Sequence, residues 1–245
     1  MSRWVILWGL CLLSGPTAAA TFEFHGTAES LETKSELYEE RHQVTGICTD
    51  AGFEPFKHTV TYHEGPDDRR FAVKTLEYGQ HPSRPSVVFR QPDFDETLEI
   101  RYPQLKQLTI DWQPPAENRK QFQVSFDHHL VVDAGFDQFV RANWQAVIAG
   151  ESLPFRFLAP TRGDQYGFVL EPAPKENINA EVVVKIRPTS LVLRFLVDPI
   201  ILGYNRQGAL THYQGLTNIR ADRKTNHTAH IRYRIINYPD CDLTL

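Results

Sequence analysis

Along most of this chain, apolar residues alternate with polar ones, or run together briefly, between clusters of Gly, Pro, Asn and Asp. A period of two puts successive side chains on opposite faces of an extended backbone, so the pattern predicts an antiparallel β-meander. The expected strands are 22–27, 36–48, 56–63, 71–78, 86–90, 97–101, 107–112, 121–126, 153–158, 166–171, 181–187, 191–197, 209–213 and 227–235. Gly65-Pro66-Asp67-Asp68, Pro114-Pro115, Gly163-Asp164 and Pro188-Thr189 supply turn chemistry where the pattern breaks. The last of these would close a hairpin over 181–197, rich in Val, Leu, Ile and Phe, with Lys185, Arg187 and Arg194 inside it. Strands of that kind are covered on both faces or line an apolar cavity, and the sequence leaves both open.

One segment departs from the period of two. Phe136, Phe139, Val140, Trp144, Val147 and Ile148 recur at helical spacing, while Asp137, Arg141 and Gln145 take the opposite face. Asp133 and Asp137 sit near its start, where negative charge suits the helix dipole, and Gly150 marks its end. A mainly β chain with one such helix predicts a long antiparallel meander forming a curved, open half-barrel, with the amphipathic helix packed on the concave face. Each buried aromatic of the stripe contributes about 2 to 3 kcal/mol as an upper estimate, enough to hold the sheet around the helix.

The first residues add a compartment. Arg3, the apolar run 5–13, the break at Ser14-Gly15-Pro16 and the small residues Ala18, Ala19 and Ala20 have the form of a signal peptide. The run is too short for a membrane span, which needs about 20 apolar residues. Cys11 follows Leu10 where a lipidation signal needs a small residue, so no lipid anchor is expected. The expected organisation is therefore a signal peptide, 1–20, and a single β-rich domain, 21–245, periplasmic or secreted after cleavage near Ala20. No later run reaches spanning length, and the exported protein is not expected to be an integral membrane protein. Export changes the meaning of Cys48 and Cys241, because an even cysteine count in an oxidising compartment predicts a disulfide.

Charge and composition mainly exclude. With 26 Lys and Arg against 30 Asp and Glu, the net charge is −4, and no basic stripe points to nucleic acid or an anionic membrane surface. The only Met is the first residue, so an apolar cavity would be lined by Leu, Ile, Val and aromatics.

Chemical motifs are sparse. There is no nucleophile elbow, paired-histidine zinc motif, phosphate loop or dinucleotide glycine fingerprint, and Gly150-Glu151-Ser152 lacks the second glycine of an elbow. His58 with His63, and His227 with His230, have odd offsets that send their side chains to opposite faces, while His128 and His129 are adjacent. No metal, cofactor or catalytic residue is therefore assigned. Tyr38, Glu40 and His42 share one strand face, where a carboxylate beside an imidazole serves acid–base chemistry or anchors a ligand. The same three residues fit a solvated outer face equally well. Lys74 would pair with Glu40 if their strands approach. Trp144 and Tyr213 complete the candidate ligand-binding set.

LYEERH (37–42), VTYHEGPDDRRFAVKTLEY (60–78), AGFDQFVRANWQAVIAGE (134–151) and LTHYQGLTNI (210–219) together resemble a family of uncharacterised exported bacterial proteins. At the level of fold the chain is similar to the open β-barrels of periplasmic lipoprotein carriers, which implies an apolar ligand such as a lipid or acyl chain. Three readings follow: a carrier of such a ligand, a non-enzymatic envelope assembly factor with a protein partner, and an enzyme using Tyr38, Glu40 and His42.

Overall fold

The computed structural model describes residues 19–244 apart from 80, 176, 177 and 196. The expected signal peptide falls on residues 1–18, outside the described residues. The first half of the chain forms β1 (Ala19–Ser30), β2 (Glu36–Thr49), β3 (Gly52–Glu64), β4 (Arg69–Glu77), β5 (Ser86–Gln91), β6 (Glu96–Gln104), β7 (Gln107–Gln113) and β8 (Lys120–Ser125). A short strand β9 (Leu130–Val131) leads into helices α1 (Gly135–Ala142) and α2 (Trp144–Ile148). Then come β10 (Leu153–Ala159), β11 (Asp164–Pro172), β12 (Val182–Pro188), helix α3 (Leu191–Arg194), β13 (Ile200–Tyr204), β14 (Leu210–Arg220) and β15 (Asn226–Asn237).

All fifteen strands belong to one sheet, in the order β8 to β1 followed by β15 to β9. Each half is an up-and-down meander. The halves join where β1 pairs antiparallel with β15, from Glu23 opposite Asn237 to Ser30 opposite Ala229. Only β9 and β10 pair in parallel. The sheet is open: β8 and β9 are its edges and are not paired with each other. β8 nevertheless lies near the turn between β10 and β11, because Gln165 Nε2 donates to Ser125 O at 2.8 Å and Phe122 packs on Gly163. A Cβ at Gly163 would come within 2.3 Å of the Phe122 ring, and its φ of 62° also favours glycine.

Alternation decides which side chains face inward. On β3 and β4, His58, Val60, Tyr62, Ala72, Lys74 and Leu76 are buried, while Thr59, Thr61, Val73 and Thr75 face the other way. Two apolar clusters result. One joins β2–β8 to Ile219, Ala229 and Ile231 of β14 and β15; the other packs Val140, Trp144 and Val147 against Phe155, Leu170, Ile186, Leu202 and Tyr204. A third cluster, around Phe22, Phe24, Val44 and Phe53, receives Leu243 of the C-terminal tail. The predicted disulfide is present there: Cys48 and Cys241 are bonded, and Phe53 N donates to Asp242 O at 2.8 Å beside them.

Two expectations are corrected. Residues 191–197 are not the second arm of a hairpin. Ile200–Tyr204 pairs with β12 instead, from Val182 opposite Tyr204 to Ile186 opposite Ile200. Both segments are apolar, so the local pattern does not choose between them; in the pairing that forms, Gly203 lies where a Cβ would meet Ala180 and Ile178 at 2.7 and 3.0 Å. The expected helix is broken at Asn143 (φ −114°), whose side chain donates to Phe139 O at 2.8 Å, and α2 begins at the next residue. Its stop at Gly150 is as expected (φ 80°). The helix packs inside the sheet with its polar side buried too: Gln138 and Arg141 are within the protein, and Asp137 is only slightly exposed.

Candidate functional site

Because β2 crosses the concave face with even positions inward, Tyr38 and Glu40 are buried and His42 is nearly so. Here they face the interior, not solvent. Glu40 Oε2 accepts from His42 Nε2 at 2.8 Å and from Tyr233 Oη at 2.9 Å. His42 Nδ1 lies 3.0 Å from His58 Nε2, and His58 Nδ1 lies 3.5 Å from Tyr78 Oη. Burial, and after it His42 and the charges of Lys74 and Arg141, holds the His58 imidazole well below the usual histidine range, so it is neutral near pH 7. Tyr78, His58, His42 and Glu40 thus form one continuous hydrogen-bonded relay, whose proton positions follow from the tautomers of the two histidines.

Around this relay stand Tyr38, Tyr62, Tyr213 and Tyr233, all with phenol pKa values raised chiefly by burial and secondarily by Glu40. Tyr38 Oη has no hydrogen-bond partner among the described residues. Tyr213 Oη donates to Leu216 O at 2.5 Å, and its ring stands 6.4 Å from Phe136. The histidine spacing argument holds within strands, since His58 is buried and His63 bonds Thr61 and Asp68 on the other face. It misses pairing across strands: His42 meets His58 inside, and His212 stacks on His230 at 5.4 Å between ring centres.

Lys74 does not pair with Glu40. Its Nζ lies 3.0 Å from both carboxylate oxygens of Asp133, at the turn into α1, and 4.8 Å above the Phe89 ring. Asp133 also accepts from Asn218 Nδ2 at 3.2 Å and from Ala134 N at 2.7 Å, and adopts φ 47°. The turn leading into α1 supplies the nearer carboxylate. One turn further along, Asp137 and Arg141 pair at 2.7 Å. Arg141 Nε also donates to Gly208 O, and its guanidinium lies 5.1 Å over Phe22. Burial raises the Asp137 carboxyl despite the Arg141 charge. These pairs continue the polar seam through the interior. Its sequence signal is the spacing of Asp133, Asp137 and Arg141, at intervals of four.

Trp144 is not part of that seam. It is buried edge-on to Tyr204 at 5.9 Å, and borders a depression of about 460 Å³ shared with Ile148, Lys175, Glu181, Val182 and Arg206. A second depression, at 116–120, is a surface turn. Tyr38, Glu40, His42, Lys74 and Tyr213 are thus brought together in a packed interior, with Trp144 apart from them. The amide of Asn226, in the Asn226-His227-Thr228 sequence, is tied to Thr217 O.

The most exposed apolar element is one that sequence reasoning placed in the sheet. In the connection between β12 and β13, Leu191 and Val192 are 70% exposed and Phe195 is 89% exposed. Arg194 Nε donates to Pro188 O at 3.0 Å, turning this cation toward the base of the tip. No described helix is long and apolar enough to cross a membrane.

These features define an open β-meander packed around the α1–α2 segment, with a polar seam among the apolar clusters inside and exposed apolar side chains at the α3 tip. No family model and no curated protein matches the sequence. Among solved structures, the chain is similar to one described as a crystal structure of a beta-barrel-like protein of domain of unknown function DUF1849, from Brucella abortus. The TM-score is 0.40 at 7% identity, covering 90% of this chain and 96% of that one.

Proposed function

We propose that this chain is an exported, non-catalytic interaction factor of the cell envelope that docks through the apolar tip at α3. The observation that carries this reading is the exposure of Leu191, Val192 and Phe195 on the short connection between the paired strands β12 and β13. Exposed apolar side chains grouped on one element mark contact sites. The Glu40 relay supports a structural interior rather than a reacting centre, because its polar atoms bond one another beneath the surface. The disulfide suits an oxidising compartment.

Fractionation of the host tests this reading. The wild-type protein is expected to sediment with envelope material, and a Leu191→Ser, Val192→Ser, Phe195→Ser variant to move to the soluble fraction. Identical partitioning of the two removes the reading. The Trp144 depression favours a second reading, binding of an amphiphile, since apolar Trp144, Val182 and Ile148 lie beside the cations Lys175 and Arg206. Co-purified lipid lost on Ile148→Asp would support it.

A further inference from the structure

The partner of the tip can be named by its chemistry. Resting on the docking reading above, we infer that the surface it meets is a lipid bilayer, which the tip enters at the level of the headgroups.

Three observations carry this. The first is shape: a four-residue helix between two strands presents Leu191, Val192 and Phe195 outward, a protrusion rather than a groove. Apolar side chains of this kind are buried by a fluid interface without a matching pocket. The second is area. These three side chains fall short of the roughly 800 Å² per partner that a stable protein interface buries, so neither a second copy nor a folded partner gains a full interface from them alone.

The third is charge. An up-and-down meander alternates its turns between two ends, which places the β10/β11 and β14/β15 turns at the same end as the tip, on either side of it. They carry exposed Arg162, and exposed Arg223 and Lys224. The same turns carry Asp164, which accepts from Gln165 N at 2.7 Å, and Asp222, which accepts from Lys224 N, Thr225 N and Thr225 Oγ1 at 2.6 to 2.8 Å; both keep their charge, so three cations stand against two carboxylates there. On the tip itself Arg194 and Asp198 balance in charge. Apolar side chains at the point with cations around the base fit a bilayer whose phosphates lie above its acyl chains. The negative charge of the whole chain conceals this local arrangement.

Flotation of the purified protein with vesicles of phosphatidylcholine, and of phosphatidylcholine with phosphatidylglycerol, tests the inference. The wild type is expected to float with both, more with the second. The triple serine variant is expected to lose about a hundredfold in partitioning while melting as the wild type does, because the replaced side chains are exposed. Arg162→Gln, Arg223→Gln and Lys224→Gln are expected to cost about fivefold each on the anionic vesicles and little on the neutral ones. Equal flotation of wild type and triple variant overturns the inference. If the wild type does not float, yet the triple variant still leaves the envelope fraction, the lipid partner is wrong and the docking reading stands. If neither assay responds to the triple variant, both fail. A dimer in analytical ultracentrifugation that the triple variant abolishes, without flotation, also overturns the lipid partner.

Discussion

Arg220 of β14 and Glu96 of β6 form a two-armed ion pair, Nε to Oε2 at 2.7 Å and Nη2 to Oε1 at 2.5 Å, although β5, β4, β3, β2, β1 and β15 all stand between their strands in the sheet. The pair therefore spans the concave side. Trp112 Nε1 and Gln91 Nε2 also donate to Glu96, at 2.8 and 2.9 Å, and Gln91 Oε1 accepts from Arg220 N. This network accompanies the packing of Ile219, Ala229 and Ile231 against β2–β8. The ion pair thus ties the two halves of the open sheet together across its concave side.

Removing one member of a nearly buried pair strands the other, so Arg220→Ala is expected to lower unfolding stability by about 3 kcal/mol. Glu96→Gln with Arg220→Met is expected to cost less than the sum of the single changes. Urea denaturation of the four proteins in the cycle measures the coupling, and additive losses would mean that the pair does not bridge the sheet.

The disulfide holds the C-terminal tail against β2 and β3, where Leu243 enters the cluster around Phe22 and Phe53. Reduction, or Cys48→Ser with Cys241→Ser, is expected to cost about 2 to 5 kcal/mol, because the bridge closes a loop of 193 residues in the unfolded chain. Thiol titration of the untreated protein in denaturant should find neither cysteine free, and thermal melting should fall on reduction.

Acid should destabilise the fold through His58. Its folded pKa lies below the unfolded value near 6.5, so the stabilisation is complete above that value and is lost as pH falls toward the folded one. His212, His227 and His230 are lowered by burial as well and act in the same direction. Stability in urea is expected to decline below about pH 6.5, with each fully depressed histidine adding up to about 1.4 kcal/mol per pH unit. His58→Leu should flatten part of this slope; an unchanged slope would place the proton uptake elsewhere.

Much of the sheet is legible because turns and alternation are local. Gly65-Pro66-Asp67-Asp68 separates β3 from β4, and the inward row His58, Val60 and Tyr62 follows from the period of two. The common face of Tyr38, Glu40 and His42 is legible for the same reason, but its direction is not. Polar strand residues ordinarily face water, and what turns these inward is Tyr233, 193 residues from Glu40, and His58, 16 residues from His42. The α3 tip differs from the expectation because 191–197 and 200–204 are both apolar, and the choice of the second for pairing is made by contacts outside the local pattern.

The same limit governs Lys74, whose two nearest candidate carboxylates can be separated by experiment. Lys74 is buried with Asp133, 59 residues away, and Asp133 is held in place by Asn218 and its own turn. Lys74→Met leaves that carboxylate unpaired in the interior and is expected to cost about 3 kcal/mol. Asp133→Asn keeps the left-handed backbone accessible and removes the charge, so a cycle with Lys74→Met should show a coupling of about 1 to 3 kcal/mol. The parallel cycle with Glu40→Gln should show much less, because Glu40 is engaged by His42 and Tyr233. Unfolding in urea reads both cycles. Stronger coupling to Glu40 than to Asp133 would mean that the turn into α1 does not hold Lys74, and with it would go the description of the interior as one continuous polar seam along the helix.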